Sequence, residues 1–204
     1  MDVFIIFLVV LLVLWFLYLG PKAQEARAER ERIAAAERER IAAAERERRA
    51  AEAEILRVER DGVLKAIRID APGFILDARL DFEREYQNSG GEGSFGQEMS
   101  PLVCFGYRVG KTNGRTETER HQILKYAIAA DLDVTLKFLP ATYRSEWGEP
   151  LSRTRLNRIY QHLNNLADLR DGRRNYEIAV SQWRADARWF HMQQLPLVEK
   201  FSAI

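Results

Sequence analysis

The sequence predicts a mainly α protein in three parts: a single N-terminal transmembrane helix, a long charged helical stalk and a small C-terminal helical domain. Three observations carry this expectation. Every residue from Val3 to Leu19 is apolar or aromatic; Ala23–Arg60 is nearly all Ala, Glu and Arg; and helix caps with apolar stripes behind them recur after Ser100. The 204 residues suit one ordinary domain plus additional segments. The formal charge is only +1 although 30% of the residues are charged, so composition has to be read locally. The expected parts are an anchor at residues 1–21, a stalk at 22–61, a connecting helix with a Gly-rich loop at 62–99, and a soluble domain at 100–204.

The run VFIIFLVVLLVLWFLYL falls at the short end of the ~17–25 residues that a helix needs to cross a hydrocarbon core. Trp15 and Tyr18 lie near its end, where amphipathic rings favour the headgroup layer. A cleaved signal peptide would carry a basic start and a small-residue cleavage site. Asp2 and the bulky Trp15, Phe16 and Tyr18 stand there instead, so an uncleaved anchor is expected. Lys22, Arg27, Arg30 and Arg32 follow the run, and positive flanks stay on the inner side. The chain is therefore expected in the inner (plasma) membrane, with its C-terminal part cytoplasmic and the lipid bilayer as its first partner.

The stalk repeats ERERIAAA at Glu29–Ala36 and Glu37–Ala44, then ERERRAAE at Glu45–Glu52. These are strong helix formers, and Glu29 with Arg32, Glu37 with Arg40 and Glu45 with Arg49 have the spacing of intrahelical ion pairs. A coiled coil needs an apolar seam at a period near 3.5. The eight-residue repeat instead turns the pattern by about 80° each time, so Ile33 and Ile41 face different ways and a solvated single helix is preferred. Neighbouring copies could still associate through the anchor or the stalk.

Asp61-Gly62 is expected to end the stalk helix, because glycine commonly terminates helices. Val63–Ile69 is short and apolar and reads as either strand or helix. Asp70-Ala71-Pro72 resembles a helix start, and Phe74, Ala78 and Phe82 recur four apart, predicting a helix over Gly73–Gln87. Asn88–Gly96 is a loop by composition. Beyond Ser100, Thr116 and Glu119 have capping-box spacing ahead of Ile123, Leu124, Ala127 and Ile128. Ser152 caps a second helix with Leu156, Ile159, Tyr160, Leu163 and Leu166 on one face. The third is expected from about Arg174 to Met192, with Tyr176, Ala179, Val180, Trp183, Ala187 and Phe190 forming its core side.

Phe105-Gly106-Tyr107-Arg108-Val109-Gly110, Glu119-Arg120, Ile123-Leu124, Trp147-Gly148-Glu149-Pro150, Ser152, Arg155-Leu156, Ile159, Asn164 or Asn165, and Trp183 to Phe190 form a spaced pattern. It resembles that of small uncharacterised bacterial helical modules. The resemblance covers the C-terminal half alone and implies a helical fold without any assigned activity.

Gly106–Thr112 imitates a phosphate-cradling loop, but three residues separate its glycines where four are needed and Phe105 occupies the first glycine position, so a structural turn is expected. Asp131 and Asp133 read as turn residues. Cys104, the sole cysteine, excludes an internal disulfide, suits a reducing compartment and sits in the apolar context of a buried thiol. His121, His162 and His191 lack a second ligand at metal-binding spacing. No catalytic residue, metal ligand or cofactor is predicted.

Residues 100–204 carry sixteen Lys and Arg against eleven Asp and Glu. That excess is modest beside the strongly basic face of a dedicated nucleic-acid domain. The preferred expectation is a membrane-anchored interaction or scaffold protein presenting a helical domain to a protein partner. Arg155, Arg158, Trp147 and Tyr143 are the expected contact surface. Membrane-tethered nucleic-acid binding through Arg153, Arg155, Arg158, Arg170, Arg173 and Arg174 is the alternative, and an enzyme with a dispersed site comes third.

Overall fold

Helix-forming residues from the apolar run onward give one element, α1 (Asp2–Ile69). The structure, a computed structural model, describes residues 2–89 and 100–202, without the side chains of residues 2–6, 16–21 and 23. Of the expected membrane run, the side chains of Phe7–Trp15 alone are described, and those at its two ends are left outside the description. The expected loop likewise lies outside them beyond Ser89. Among the described residues, no helix is long and apolar enough to cross a membrane.

The chain divides into two units, Met1–Glu54 and Ile55–Ile204. The first is helical, and its described side chains are almost all exposed. Ile33 and Ile41 are 58% and 54% exposed within this chain. Its ion pairs are equally open: Arg48 reaches Glu52 at 2.8 Å, and Arg49 lies 4.0 Å from Glu45.

In the second unit α1 runs straight through Gly62, correcting the expected helix end there. A mid-helix glycine costs about 1 kcal/mol. Burial on the next turn outweighs that cost, since Leu64 is buried and Val63 and Ile67 pack against the same core. The ambiguous stretch Val63–Ile69 is accordingly helix. Arg60 and Arg68 donate to the carbonyls of Pro150 (2.7 Å) and Ala129 (3.2 Å), fastening this end of α1 to the domain.

Pro72 precedes α2 (Gly73–Asn88), which buries Ile75 and sets Phe82 and Tyr86 against Phe138. Three short helices escape sequence periodicity: α3 (Pro101–Cys104), α5 (Leu132–Thr135) and α6 (Ala141–Glu146). Between them stands α4 (Glu117–Ala129), begun by the full Thr116/Glu119 capping box. Ser152 caps α7 (Arg153–Asp168), as its sequence position predicts. A short connection joins α7 to α8 (Glu177–Phe201); these two helices pack as a hairpin, and α4 lies against both.

The bounds of α8 differ from the expected Arg174–Met192 at both ends. Asn175 takes φ 84°, a left-handed conformation that no helix can include, so the helix starts after it. At the other end Gln194, Val198 and Phe201 continue the buried stripe past Pro196. Pro196 is exposed, and packing on the opposite side holds the helix through it.

The core gathers Phe105, Phe190, Ile75, Leu124, Ile128 and Leu163 as its largest fully buried side chains. The glycine turn beside it is a Schellman motif closing α3. Gly106 N–H donates to the Val103 carbonyl at 2.9 Å, and Tyr107 N–H to the Leu102 carbonyl at 2.8 Å. Gly106 has φ 80°, and a Cβ there would stand 2.7 Å from the Cβ of Ala78. Both conformation and space require glycine. Gly106→Ala is thus expected to lower unfolding free energy by about 1–3 kcal/mol, measured by denaturant titration of tryptophan fluorescence. Gly62→Ala, with nothing within 4 Å of the new methyl group, is expected to raise it by about 0.5–1 kcal/mol.

Candidate functional site

The four residues expected on a contact surface do come together, at the turn between α6 and α7, but mostly inside it. Arg155 is 2% exposed. Its guanidinium donates to the carbonyls of Ala130 and Gly148 and, at 3.5 Å, of Trp147. Burial lowers its pKa to about 10, which leaves it charged at neutral pH. Trp147 is buried against the core, 6.4 Å from the half-buried Tyr143 ring. Only Arg158 is exposed, and it pairs with Glu146 at 3.1 Å. Arg155 and Trp147 are therefore corrected from surface contacts to internal supports. A cation that satisfies three carbonyls converging on one turn is more useful inside than out.

A second buried constellation went unanticipated. Asp186 on α8 is fully buried, and its Oδ2 accepts from the Tyr107 hydroxyl and from Arg120 Nε, each at 2.6 Å. Arg120 Nη2 donates to Oδ1 at 3.2 Å, and His121 Nε2 lies 3.4 Å from the same oxygen. His121 stacks flat on Trp189 with centroids 3.5 Å apart. Beside this network, Gln182 Oε1 accepts from Gly110 N–H at 2.7 Å. Burial and the adjacent Asp186 raise the Tyr107 pKa well above its usual range. Burial opposes the Arg120 charge, but hydrogen bonding and attraction from Asp186 raise its pKa overall. Burial lowers the His121 pKa, against the pull of Asp186. Asp186 thus spends its acceptor capacity holding the Gly106–Gly110 loop and α4 onto α8. One sequence signal was available: Asp186 falls three residues after Trp183 and four before Phe190, within the buried stripe.

Over this support lies a groove of about 360 Å³ between the loop, α7 and α8. Arg108, His162, Arg170, Tyr176 and Trp183 line it. Arg170 stands over the rings of both Tyr176 and Trp183, at 5.6 and 5.5 Å. Tyr176, expected in the core, is 40% exposed at this rim. An aromatic and guanidinium lining can hold an apolar side chain beside an acidic one.

The remaining candidates have structural places. Cys104 is buried, and desolvation raises its pKa to about 12. Asp131 caps α5 through the N–H groups of Asp133 and Val134, while Asp133 pairs with Arg144 at 2.7 Å. Arg153 lies 3.5 Å from Glu199. Among the described residues, no three His, Cys, Asp or Glu side chains gather as a metal-binding set would.

Removing the Asp186 charge leaves Arg120 buried beside a neutral amide, so Asp186→Asn is expected to cost about 3–5 kcal/mol by denaturant titration. The depressed His121 pKa means that the unfolded chain binds its proton first. This histidine's contribution to stability is present above pH 6.5 and declines as pH falls below it. His121→Phe is expected to flatten that part of the stability–pH curve, measured by thermal unfolding between neutral and mildly acidic pH.

Compared with known protein families, curated proteins and solved structures, the chain matches none.

Proposed function

We propose that this protein is a single-pass membrane-tethered interaction module that presents its helical domain to a protein partner on the cytoplasmic side. The observation that carries the reading is the apolar beginning of α1. From Phe7 to Trp15 nine successive apolar side chains are each 49–66% exposed. A helix that is greasy all round and uncovered by its own chain calls for an apolar surrounding. The unbroken run in the sequence from Val3 to Leu19 supports lipid as that surrounding, with Lys22 and the stalk arginines as its inner flank.

Two features support protein recognition rather than chemistry. Asp186 and Arg155, the most deeply buried charges of the domain, are engaged in holding loops and helices together. The groove above Asp186 offers Trp, Tyr and Arg, the residue types that dominate binding energy at protein interfaces. A partner segment pairing an apolar side chain with an acidic one fits that lining.

Leu11→Arg puts a charge at the centre of the apolar run, at a cost of about 2.5–3.5 kcal/mol. It is expected to move the full chain from the carbonate-resistant membrane fraction to the soluble one. A photo-crosslinking residue at Tyr176 is expected to capture a discrete partner in cells, and the same residue at Lys137 is not. Equal labelling from the two positions contradicts the groove assignment.

A further inference from the structure

A second cavity of about 380 Å³, sharing Arg170 with the groove, opens where α7 passes into α8. Arg170, Arg173, Arg184 and Arg188 line it, against Asp171 and Glu177. With Asp168, which pairs with Arg184, four arginines stand against three carboxylates there. These arginines are not equivalent. Arg184 already spans Asp168 (3.2 Å) and Asp171 (2.8 Å), and Arg170 is turned toward Tyr176 and Trp183. Arg173 and Arg188 are exposed and, among the described residues, form no ion pair. Two guanidinium forks without carboxylates thus face one concave space, with the Ser181 side chain in the same wall.

Guanidinium groups bind planar or tetrahedral oxyanions through paired N–H donors, and a dianion gains most where several converge. A volume near 380 Å³ exceeds what a bare oxyanion occupies and lies in the usual range of small-ligand sites. The recess is half open, and its arginines gather around one space rather than along a track, which suits a compact ligand better than a nucleic-acid backbone.

We infer that this cavity is a binding site for a small phosphomonoester, held chiefly by Arg173 and Arg188, with Arg170 and Ser181 completing the wall. The site is separate from the partner groove but shares Arg170 with it. Occupancy would place a negative charge beside Arg170 and so connect the ligand to the rim of the groove.

The test is calorimetric titration of the full chain in detergent with inorganic phosphate as the probe. Saturable binding in the millimolar range or tighter is expected. The double variant Arg173→Glu/Arg188→Glu is expected to weaken it by at least about tenfold, since each charged hydrogen bond lost is worth that order. Lys111→Glu, the same kind of charge reversal outside the cavity, is expected to leave it within about twofold. Unchanged near-ultraviolet dichroism would show that the double variant keeps its tertiary packing. Absence of saturable phosphate binding overturns the assignment, as does equal binding of acetate or an equal loss in Lys111→Glu. Phosphatidylglycerol vesicles and a single-stranded oligonucleotide serve as separate arms. If either binds through Arg173 and Arg188 while free phosphate does not, the site belongs to a lipid surface or a nucleic acid and the small-ligand proposal fails.

Discussion

The Asp186 carboxylate is the contact on which the C-terminal domain most depends. It sits on the longest helix of that domain, is fully buried, and accepts hydrogen bonds from a tyrosine in the glycine loop and an arginine in α4. A buried carboxylate is costly unless its lone pairs are filled, and here they are. The same satisfaction limits its chemistry, because a base needs an open lone pair and a route to a substrate proton. Its effect is to fix where the loop stands. Tyr107, held by Asp186, forms part of the groove wall, and Gln182 secures Gly110 one turn of α8 earlier. The position of the groove therefore follows from an interaction that no ligand needs to touch.

Arg155 performs the complementary task with backbone acceptors. The turn from Trp147 to Ser152 combines Gly148 at φ 74° with Leu151 at φ 53°, the latter uncommon for a branched side chain. Such a turn points several carbonyls inward, and only a planar cation with several donors satisfies them together. Leu151 gains burial and an N–H bond to the Ile128 carbonyl at 2.9 Å in return. In the domain's two most important polar sites, then, arginine connects segments distant in sequence: Arg120 through a carboxylate, Arg155 through carbonyls. Much of the apparent basicity of the sequence is structural material, and a count of positive residues overstates the surface available to phosphates.

How far the sequence foretold this depends on the kind of signal. Capping chemistry is local, so Thr116 and Ser152 marked their helices correctly. Apolar stripes are local too, and Ile123, Leu124, Leu156, Leu163 and Phe190 are all buried as expected. Four-residue helices such as α3 and α5 contain too few positions for a period to show. Gly62 misled because glycine's preference for helix ends is worth about 1 kcal/mol, less than the burial of the turn that follows. The site was least legible. An arginine in a sequence looks exposed by default, and nothing near Arg155 tells of the three carbonyls that draw it inward. Asp186 was legible in principle, as a charge placed in the apolar stripe of α8, but its partners lie 66 and 79 residues away.

The two units also differ in what stabilises them. The domain rests on burial, with long-range contacts that fold together. The stalk has exposed ion pairs and alanine, and exposed pairs contribute little individually. Helix formation there is a matter of propensity, and the costly step is the first turn. That step has a natural place in the sequence. Val63, Leu64 and Ile67 are already packed on the core, which fixes a helical turn at the C-terminal end of α1. From that turn each further Ala, Glu or Arg adds one hydrogen bond for one residue ordered, the favourable part of the helix–coil balance. A glycine at position 62 is tolerable on this path because it comes immediately after the packed turn, where the helix is already held, and not within the repeats, where nothing but propensity supports it.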